Sequence, residues 1–335
     1  MRAAVWGPLA AIVLGLSGDL TPASAECARP PPAIRDLDLP RFYSDDAGSI
    51  VDPELLAKHR AAVEPLTEFL RNVVANADKS VRRRKLDQQA EPAVCALVWL
   101  DAWARGEAWL GNMSTRQGEY QRKWDLSGVA LAYLKVRAFA TEDERRRIEA
   151  WLVRWADISR AFFDDPERKR NNHWYWLGLG LAATGLAANS PRHWDMAREI
   201  MQDAAKDIQA DGTLPQEMER KARALHYHVF AVTPLVALAE LGRARGEDWY
   251  ALGDGALHRL VAVTARGLRD PKLFAAMPLV ATPQEADTST GAGWLILYGQ
   301  HFKARVEPGW PTVNSSHRWL GGDVQVLAKV LGTTP

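Results

Sequence analysis

Residues 171–188 read NNHWYWLGLGLAATGLAA, and this stretch decides the fold. Asn171 is a favoured N-cap residue, so a helix is expected to begin directly after it. The stretch is apolar almost throughout from Leu177 to Ala188. A helix that is hydrophobic on all sides must be surrounded by other elements. The stretch therefore predicts a buried helix at the centre of a layered fold.

The same stretch presents two amides and an imidazole at the helix start. A helix N-terminus carries partial positive charge and unpaired N–H groups, which suit a carboxylate or a phosphate. The aromatic residues one turn later could stack on a sugar ring. The alternative is structural: an Asn cap, a buried His173 and core aromatics. These residues alone leave both interpretations open.

The rest of the chain has helical patterns almost throughout. Thr141 with Glu144 forms a capping box, and prolines mark several other helix starts. No convincing run of alternating strand residues is present, and several helices are hydrophobic all round. These patterns predict an all-α fold, an (α/α) toroid or incomplete barrel of helical hairpins in one domain over residues 26–335. The predicted helices cover approximately residues 53–77, 92–110, 124–138, 142–163, 171–188, 191–210, 215–243, 247–267, 294–302 and 322–331.

The first 25 residues have the features of a cleavable export signal. Arg2 is the charged start, Leu9 to Leu16 is the apolar core, and Ala23-Ser24-Ala25 is a small-residue cleavage site. The apolar core is too short to span a membrane. We therefore expect residues 1–25 to be removed and the mature chain to be exported to the periplasm without membrane insertion.

Charge and cysteine content narrow the possible partners and the redox state. The formal net charge of +1 gives no reason to expect nucleic acid. The two cysteines, Cys27 and Cys95, form an even pair, which in an oxidising compartment indicates a disulfide. Closing so long a loop stabilises the fold by about 4 kcal/mol on the chain-entropy model. Two free thiols are the alternative.

Residues 220–228 read RKARALHYH and form the second informative stretch. On one continuous helix, Arg220 and Tyr227 point the same way, and Arg223 lies near the same stripe. If this stripe faces His173, the site combines an amide, an imidazole, guanidinium groups and a phenol. A glycoside hydrolase needs a pair of carboxylates instead, and no convincing pair is present.

Such a set of groups suits proton abstraction beside a carboxylate. The C5 proton of a uronic acid is poorly acidic until the charge of the carboxylate is neutralised and the developing enolate is stabilised. Asn172, His173 and Arg220 could do this, and the phenol could take the proton. A free Tyr ionises near pH 10, so nearby guanidinium groups would be needed to lower its pKa.

The two stretches resemble the signature motifs of the periplasmic alginate lyases of polysaccharide lyase family 5. The resemblance covers nearly all of the expected mature chain, in the same order. Its motifs are Asn171-Asn172-His173-x-Tyr175-Trp176, Arg220-x-x-Arg223-Ala224-Leu225-x-Tyr227-His228, Cys95-Ala96-Leu97 with Trp103-Ala104-Arg105, Arg122-Lys123-Trp124, Asp211-Gly212-x-Leu214-Pro215 and Leu320-Gly321-Gly322.

The resemblance implies an (α/α) toroid with a deep cleft and cofactor-free, metal-free β-elimination of poly-β-D-mannuronate. It implies that Asn172, His173 and Arg220 neutralise the carboxylate and that Tyr227 is both base and acid. His173 could be the base for an epimer that needs anti elimination. Further residues are implied to contact the substrate: Trp176, Arg223, Trp124, Gln117, Arg318, Arg41 and Tyr43.

The resemblance also implies a lid over the cleft at residues 39–52 and a disulfide between Cys27 and Cys95. We expect an anionic polysaccharide as the partner and a monomeric protein. The sequence departs from the family pattern at Trp174, Phe42 and Trp319. These positions concern recognition, so polyglucuronate or hyaluronan stays open as the main substrate. A non-catalytic polyuronate-binding protein is a further alternative.

Overall fold

The structure is a computed structural model, and it describes residues 27–46, 48–284, 292–305, 310 and 313–332. The predicted signal over residues 1–25 lies outside the described residues.

The secondary structure is almost entirely helical. In the described ranges, twelve α-helices are joined by loops and short 3-10 turns. Two strands of two residues each pair with each other in antiparallel orientation. The all-α prediction is confirmed. The elements are α1 (Pro53–Arg82), α2 (Leu86–Arg105), α3 (Arg116–Val136), α4 (Glu142–Ala161), α5 (Asn172–Ala187), α6 (Pro191–Asp207), α7 (Pro215–Met218), α8 (Ala224–Ala244), α9 (Leu252–Arg269), α10 (Lys272–Ala275), α11 (Trp294–His301), β1 (Ser316–His317), β2 (Gly322–Asp323) and α12 (Val324–Gly332).

The helices form hairpins in two layers. In the inner layer α1, α3, α5 and α8 follow one another, each in contact with the next. The outer helices α2, α4, α6 and α9 each pack against an inner neighbour. Helix α11 contacts α8, and α12 contacts both α1 and α8, so the last helices bring the two ends of the inner row together. This arrangement is the predicted (α/α) toroid.

Helix α5 lies at the centre, in contact with α3, α4, α6 and α8. Its glycines permit this close packing on two sides. A Cβ atom on Gly178 would lie 2.8 Å from Cγ2 of Ile200 on α6, and one on Gly180 would lie 3.1 Å from Cδ2 of Leu126 on α3. The side chain of Asn171 accepts a hydrogen bond from the backbone N–H of His173, which confirms the predicted cap.

Two helices begin earlier than predicted. Helix α2 begins at Leu86 rather than at Pro92, which lies inside the helix. Helix α3 begins at Arg116, well before the predicted start at Trp124, because the side chain of Thr115 caps it by accepting from the N–H of Gly118. The capping box at the start of α4 is confirmed.

The single helix predicted over residues 215–243 is interrupted. After α7 the chain makes a 3-10 turn at Lys221–Arg223, where Lys221 has a φ of 48°. This left-handed conformation is incompatible with a continuous α-helix. Gln284 holds the break: its Nε2 donates to the Lys221 carbonyl and its Oε1 accepts from the N–H of Leu225, each across 2.9 Å. Arg220 and Tyr227 therefore do not share one helix.

A disulfide between Cys27 and Cys95 is confirmed, and it ties the N-terminal segment to α2. Close by, Nε1 of Trp99 donates to the Ala28 carbonyl across 2.7 Å. The segment that follows is therefore anchored along α2 before it reaches residues 39–52.

Among the described residues, one stretch is long and apolar enough to pass a membrane-span test based on length and composition, Lys221–Ala244. In this fold 89% of its most apolar window is buried, as expected for a core helix.

Candidate active site

A cleft of about 1020 Å³ lies between the inner helices and residues 41–46 and 48. Cationic side chains outnumber carboxylates along its wall, which suits an anionic ligand. The cations are Arg41, Arg60, Arg116, Arg168, Lys169, Arg220, Arg223 and Arg318, and the carboxylates are Asp46, Glu167 and Glu219.

His173 lines the cleft in the first turn of α5. Its imidazole stacks on the ring of Tyr120, with 3.7 Å between ring centres. Burial, with the charges of Lys123, Arg220 and Arg116, holds the pKa of His173 well below 6.5. The neutral imidazole can accept a proton or share a hydrogen bond but carries no charge. The sequence analysis assigned neutralisation of the substrate carboxylate partly to His173. A neutral imidazole cannot do this, so the cationic side chains of the cleft must.

Asn172 is fully buried. Its Nδ2 donates to both carboxylate oxygens of Glu217, each across 3.0 Å, and its backbone N–H donates to the same carboxylate. Asn172 is not among the residues that line the cleft. Its Nδ2 is therefore already paired with Glu217, and a direct contact with a substrate carboxylate stays a prediction.

Glu217 is a buried carboxylate that the sequence analysis missed. Burial raises its pKa, while Arg220 and the hydrogen bonds from Asn172 oppose that rise. Nε of Arg220 lies 3.9 Å from a Glu217 oxygen. Glu217 therefore holds both Asn172 and Arg220 from behind. Its position just after the Leu214-Pro215 pair is the signal that could have identified it.

Arg220 and Tyr227 meet despite the break in the helix. Cζ of Arg220 lies 4.4 Å from the centre of the Tyr227 ring, and that of Arg223 lies 5.6 Å from it. Gly48 approaches the same point: a Cβ atom on it would lie 2.5 Å from Nη1 of Arg220, the flexible end of that side chain. Gly48 also has a φ of 65°, a conformation that favours glycine.

The Tyr227 hydroxyl donates a hydrogen bond to the hydroxyl of Tyr43 across 2.8 Å. Nη1 of Arg223 also donates to the Tyr43 hydroxyl, across 3.2 Å. Burial and Tyr43 raise the pKa of Tyr227 well above its ordinary value of 10.0, although Arg220 and Arg223 oppose this. The two guanidinium groups therefore lower this pKa as expected, but burial and Tyr43 outweigh them.

Aromatic rings form one wall of the cleft. Trp124 stacks on Trp319, with 4.9 Å between ring centres, and Phe230 meets Trp124 edge-on at 5.6 Å. Nε1 of Trp319 donates to Oδ1 of Asp125 across 3.1 Å. Burial raises the pKa of Asp125 to about 6. This wall gives a flat surface against which sugar rings could stack.

Two tryptophans of the 171–188 stretch do not reach the cleft. Trp176 is fully buried, and its Nε1 donates to the Phe230 carbonyl across 3.0 Å. It supports the aromatic wall from behind and is absent from the cleft lining, so the structure does not place it at the predicted substrate contact. Trp174 is also buried, with Nε1 directed at Asp203, and its predicted part in recognition is not supported by its position.

The other predicted substrate residues do line the cleft. Gln117 presents a buried Nε2 that has no hydrogen-bond partner in the described part of the chain. Arg318 lies over the Trp319 ring, with Cζ 4.6 Å from its centre. Arg41 pairs with Asp46 across 3.2 Å. Tyr120 was missed because the start of α3 was predicted too late.

No metal-binding group of three or more His, Cys, Asp or Glu side chains occurs in the described ranges.

Known proteins have similar sequences and a similar fold. A family model described as alginate lyase matches residues 40–274. A polysaccharide lyase from Stenotrophomonas maltophilia (strain K279a) is 41% identical over 287 residues, 82% of this chain and 82% of that protein. An alginate lyase from Azotobacter vinelandii is 34% identical over 264 residues, 76% of this chain and 70% of that protein. The crystal structure of alginate lyase A1-III from Sphingomonas species A1 matches with a TM-score of 0.75 at 24% identity, covering 90% of this chain and 85% of that chain.

Proposed function

Because the chain belongs to the alginate lyase family, we propose that it is a polyuronate lyase that cleaves 1,4-linked poly-β-D-mannuronate by β-elimination. The observation that carries this proposal is the buried Tyr227 phenol beneath two guanidinium groups, in a cleft lined mainly by cations. An anionic polymer would be drawn into such a cleft, and the phenol would be placed beside the carboxylate that makes the neighbouring C–H acidic.

In the proposed reaction, Arg220 binds the uronate carboxylate and stabilises the negative charge that develops on it. The Tyr227 phenol first loses its own proton to solvent, and the phenolate then removes the C5 proton. The electron pair of that C–H bond forms the C4–C5 double bond, and the bond from C4 to the leaving O4 breaks. The same phenol then gives its proton to O4. The products are a new chain end and a 4-deoxy-hex-4-enuronate.

His173 has a second proposed role that depends on the sugar. Since its imidazole is neutral, it can accept a proton at neutral pH. An epimer whose C5 proton lies on the opposite face would present that proton to His173 rather than to Tyr227. In either case Glu217 acts by holding Arg220 and Asn172 in place.

A different uronate is the second candidate substrate. Trp319 lines the cleft at a position where the resembled family commonly has Arg, and it stacks on Trp124. An aromatic ring at this position would stack on a sugar ring, where an arginine would pair with a carboxylate of the substrate. This favours polyglucuronate or hyaluronan as a competing substrate of the same elimination reaction.

Absorbance of the unsaturated product tests the reaction, with polymannuronate, polyglucuronate and hyaluronan supplied separately. We expect absorbance to rise most with polymannuronate. Tyr227→Phe should reduce kcat by a factor of about 10² to 10⁴, while calorimetry still detects polymer binding. No product from any of the three polymers would refute the lyase. Unchanged turnover in Tyr227→Phe would refute the role of the phenol.

We also propose that the protein acts in the periplasm after residues 1–25 are removed. The Cys27–Cys95 disulfide supports this, because disulfides persist in oxidising compartments. Expression of the whole chain in a bacterium, followed by fractionation and N-terminal sequencing, tests the proposal. Cytoplasmic protein that retains residues 1–25 would contradict it.

A further inference from the structure

Lys123 is a buried lysine behind the aromatic wall of the cleft. Its side chain has no exposed surface, and it is absent from the cleft lining. Its Nζ lies 4.0 Å from the centre of the Trp124 ring and 4.8 Å from that of Tyr120. Both rings line the cleft, so the ammonium lies against the protein side of two candidate sugar-binding rings.

The Lys123 ammonium has no close carboxylate partner among the described residues. Its hydrogen bond within the described ranges goes to the Tyr120 carbonyl, across 3.3 Å, rather than to a carboxylate. Burial lowers the pKa of Lys123 well below 10.5, and Asp125 and Glu119 oppose this from further away. A buried ammonium without a close carboxylate is costly, and such groups concentrate at functional sites.

Tyr120 connects this charge to the proposed active site. One of its neighbours is Lys123, and its ring stacks on the His173 imidazole at 3.7 Å with 15° between the planes. The cations that act on His173 are Lys123 and Arg116 from α3 and Arg220 from the turn before α8. Of these three, Lys123 has the largest effect in lowering the pKa of His173.

We propose that Lys123 is a positioning residue of the cleft: its Nζ packs against the Tyr120 and Trp124 rings and so fixes the ring on which the His173 imidazole stacks. A positive charge on Lys123 would also favour a carboxylate bound beside His173. The part of this inference that concerns turnover rests on the proposed lyase function. The part that concerns His173 applies to the protein without substrate.

Lys123→Met tests the inference because methionine keeps the length of the side chain and removes its charge. We expect the NMR titration of His173, assigned with His173→Ala, to move to higher pH. The kcat/KM for a polyuronate should fall about tenfold at neutral pH. The melting temperature should not fall, since an uncompensated buried charge is replaced by an apolar group. Lys123→Arg, which keeps the charge, should return the titration toward its original position.

Lys135→Met is the matched control on the same helix. Lys135 is also buried, but its Nζ lies 2.5 Å from Oδ1 of Asp78 and 2.7 Å from the Gly321 carbonyl. Breaking this ion pair leaves Asp78 buried and uncompensated, so the melting temperature should fall while the His173 titration stays in place.

The possible outcomes separate the two proposals. If Lys123→Met leaves the His173 titration unchanged, the inference is wrong. A fall in both melting temperature and activity with that titration unchanged would show that Lys123 is only structural. If the wild-type protein gives no unsaturated product from any polyuronate, the proposed function is wrong. In that case the histidine titration still decides whether Lys123 controls His173.

Discussion

The hydroxyl of Tyr227 donates a hydrogen bond to the hydroxyl of Tyr43, 2.8 Å away. This contact joins α8 to the 39–52 segment, which the sequence identifies as a candidate lid. It also stabilises the protonated phenol, since Tyr43 adds to the effect of burial in raising the pKa of Tyr227. This candidate lid therefore also opposes ionisation of the proposed base.

Tyr43→Phe should lower the pKa of Tyr227. If turnover needs the phenolate, the alkaline rise in kcat/KM should then begin at a lower pH than in the wild type. The measurement is a pH series of initial rates on polymannuronate. Tyr133→Phe is the control, because the hydroxyl of Tyr133 donates to Glu149 and its side chain does not line the cleft. A rise displaced to higher pH by Tyr43→Phe would contradict this account.

Trp319→Leu should change polymer preference. Loss of the stacked ring should raise KM by about three- to tenfold for the polymers that stack on it, with a smaller effect on the others. Trp174→Leu is the comparison: its indole is buried and lies outside the cleft lining, so stability should fall by about 2 kcal/mol with preference unchanged. Equal changes in preference from the two variants would show that Trp319 does not determine specificity.

Glu217→Gln should reduce both stability and turnover. One acceptor oxygen becomes an NH₂ group facing the amide of Asn172, which should cost about 1–3 kcal/mol. Arg220 also loses the charge of its buried partner, which weakens its hold on the position beside Tyr227. Urea unfolding and initial rates measure the two effects. Glu219→Gln should change stability by less than about 1 kcal/mol, because its pair with Lys169 is exposed.

Asp125→Asn should alter how stability depends on pH. Burial raises the pKa of Asp125 from 3.8 to about 6, so between these values the folded chain holds a proton that the unfolded chain releases. This contribution to stability is present at low pH and is lost as pH rises through about 6. The stability of Asp125→Asn relative to the wild type should therefore rise by up to about 3 kcal/mol between pH 4 and pH 7.

The measurement is the difference in free energy of unfolding between Asp125→Asn and the wild type, followed as a function of pH. Asp101→Asn is the control, for which the pH dependence should have the opposite sign. Arg147 and Arg105 lower the pKa of Asp101 despite its partial burial. Its stabilising contribution is therefore present at neutral pH and is lost on acidification. A flat or falling difference for Asp125→Asn over the same range would mean that its carboxyl is not protonated near pH 6.

Local signals allowed the fold to be predicted. The capping box of Thr141 with Glu144 and the Asn171 cap involve residues close in sequence, so both could be identified from the chain alone. The break at Lys221 could not, because Gln284 stabilises it from a distant loop. Arg220 and Tyr227 were correctly brought together, but by tertiary folding rather than by the periodicity of a helix.

The site was predictable in composition more than in orientation. Sequence proximity to His173 does not distinguish a ring that faces the cleft from one that faces the core, and Trp176 faces the core. Asn172 lies next to His173 in sequence, but its amide is directed at Glu217, a partner that only the folded chain reveals. The direction in which a side chain points depends on which neighbouring groups still lack a hydrogen-bond or packing partner, and this is a property of the whole fold.

The disulfide between Cys27 and Cys95 closes a covalent loop that contains the whole 39–52 segment. A protease that cuts within this segment would therefore not release a fragment. Both pieces would remain linked through the cystine, and the nicked protein would migrate as one band on a denaturing gel until a reductant separated them. The candidate lid could thus be severed without its N-terminal half being lost from the molecule.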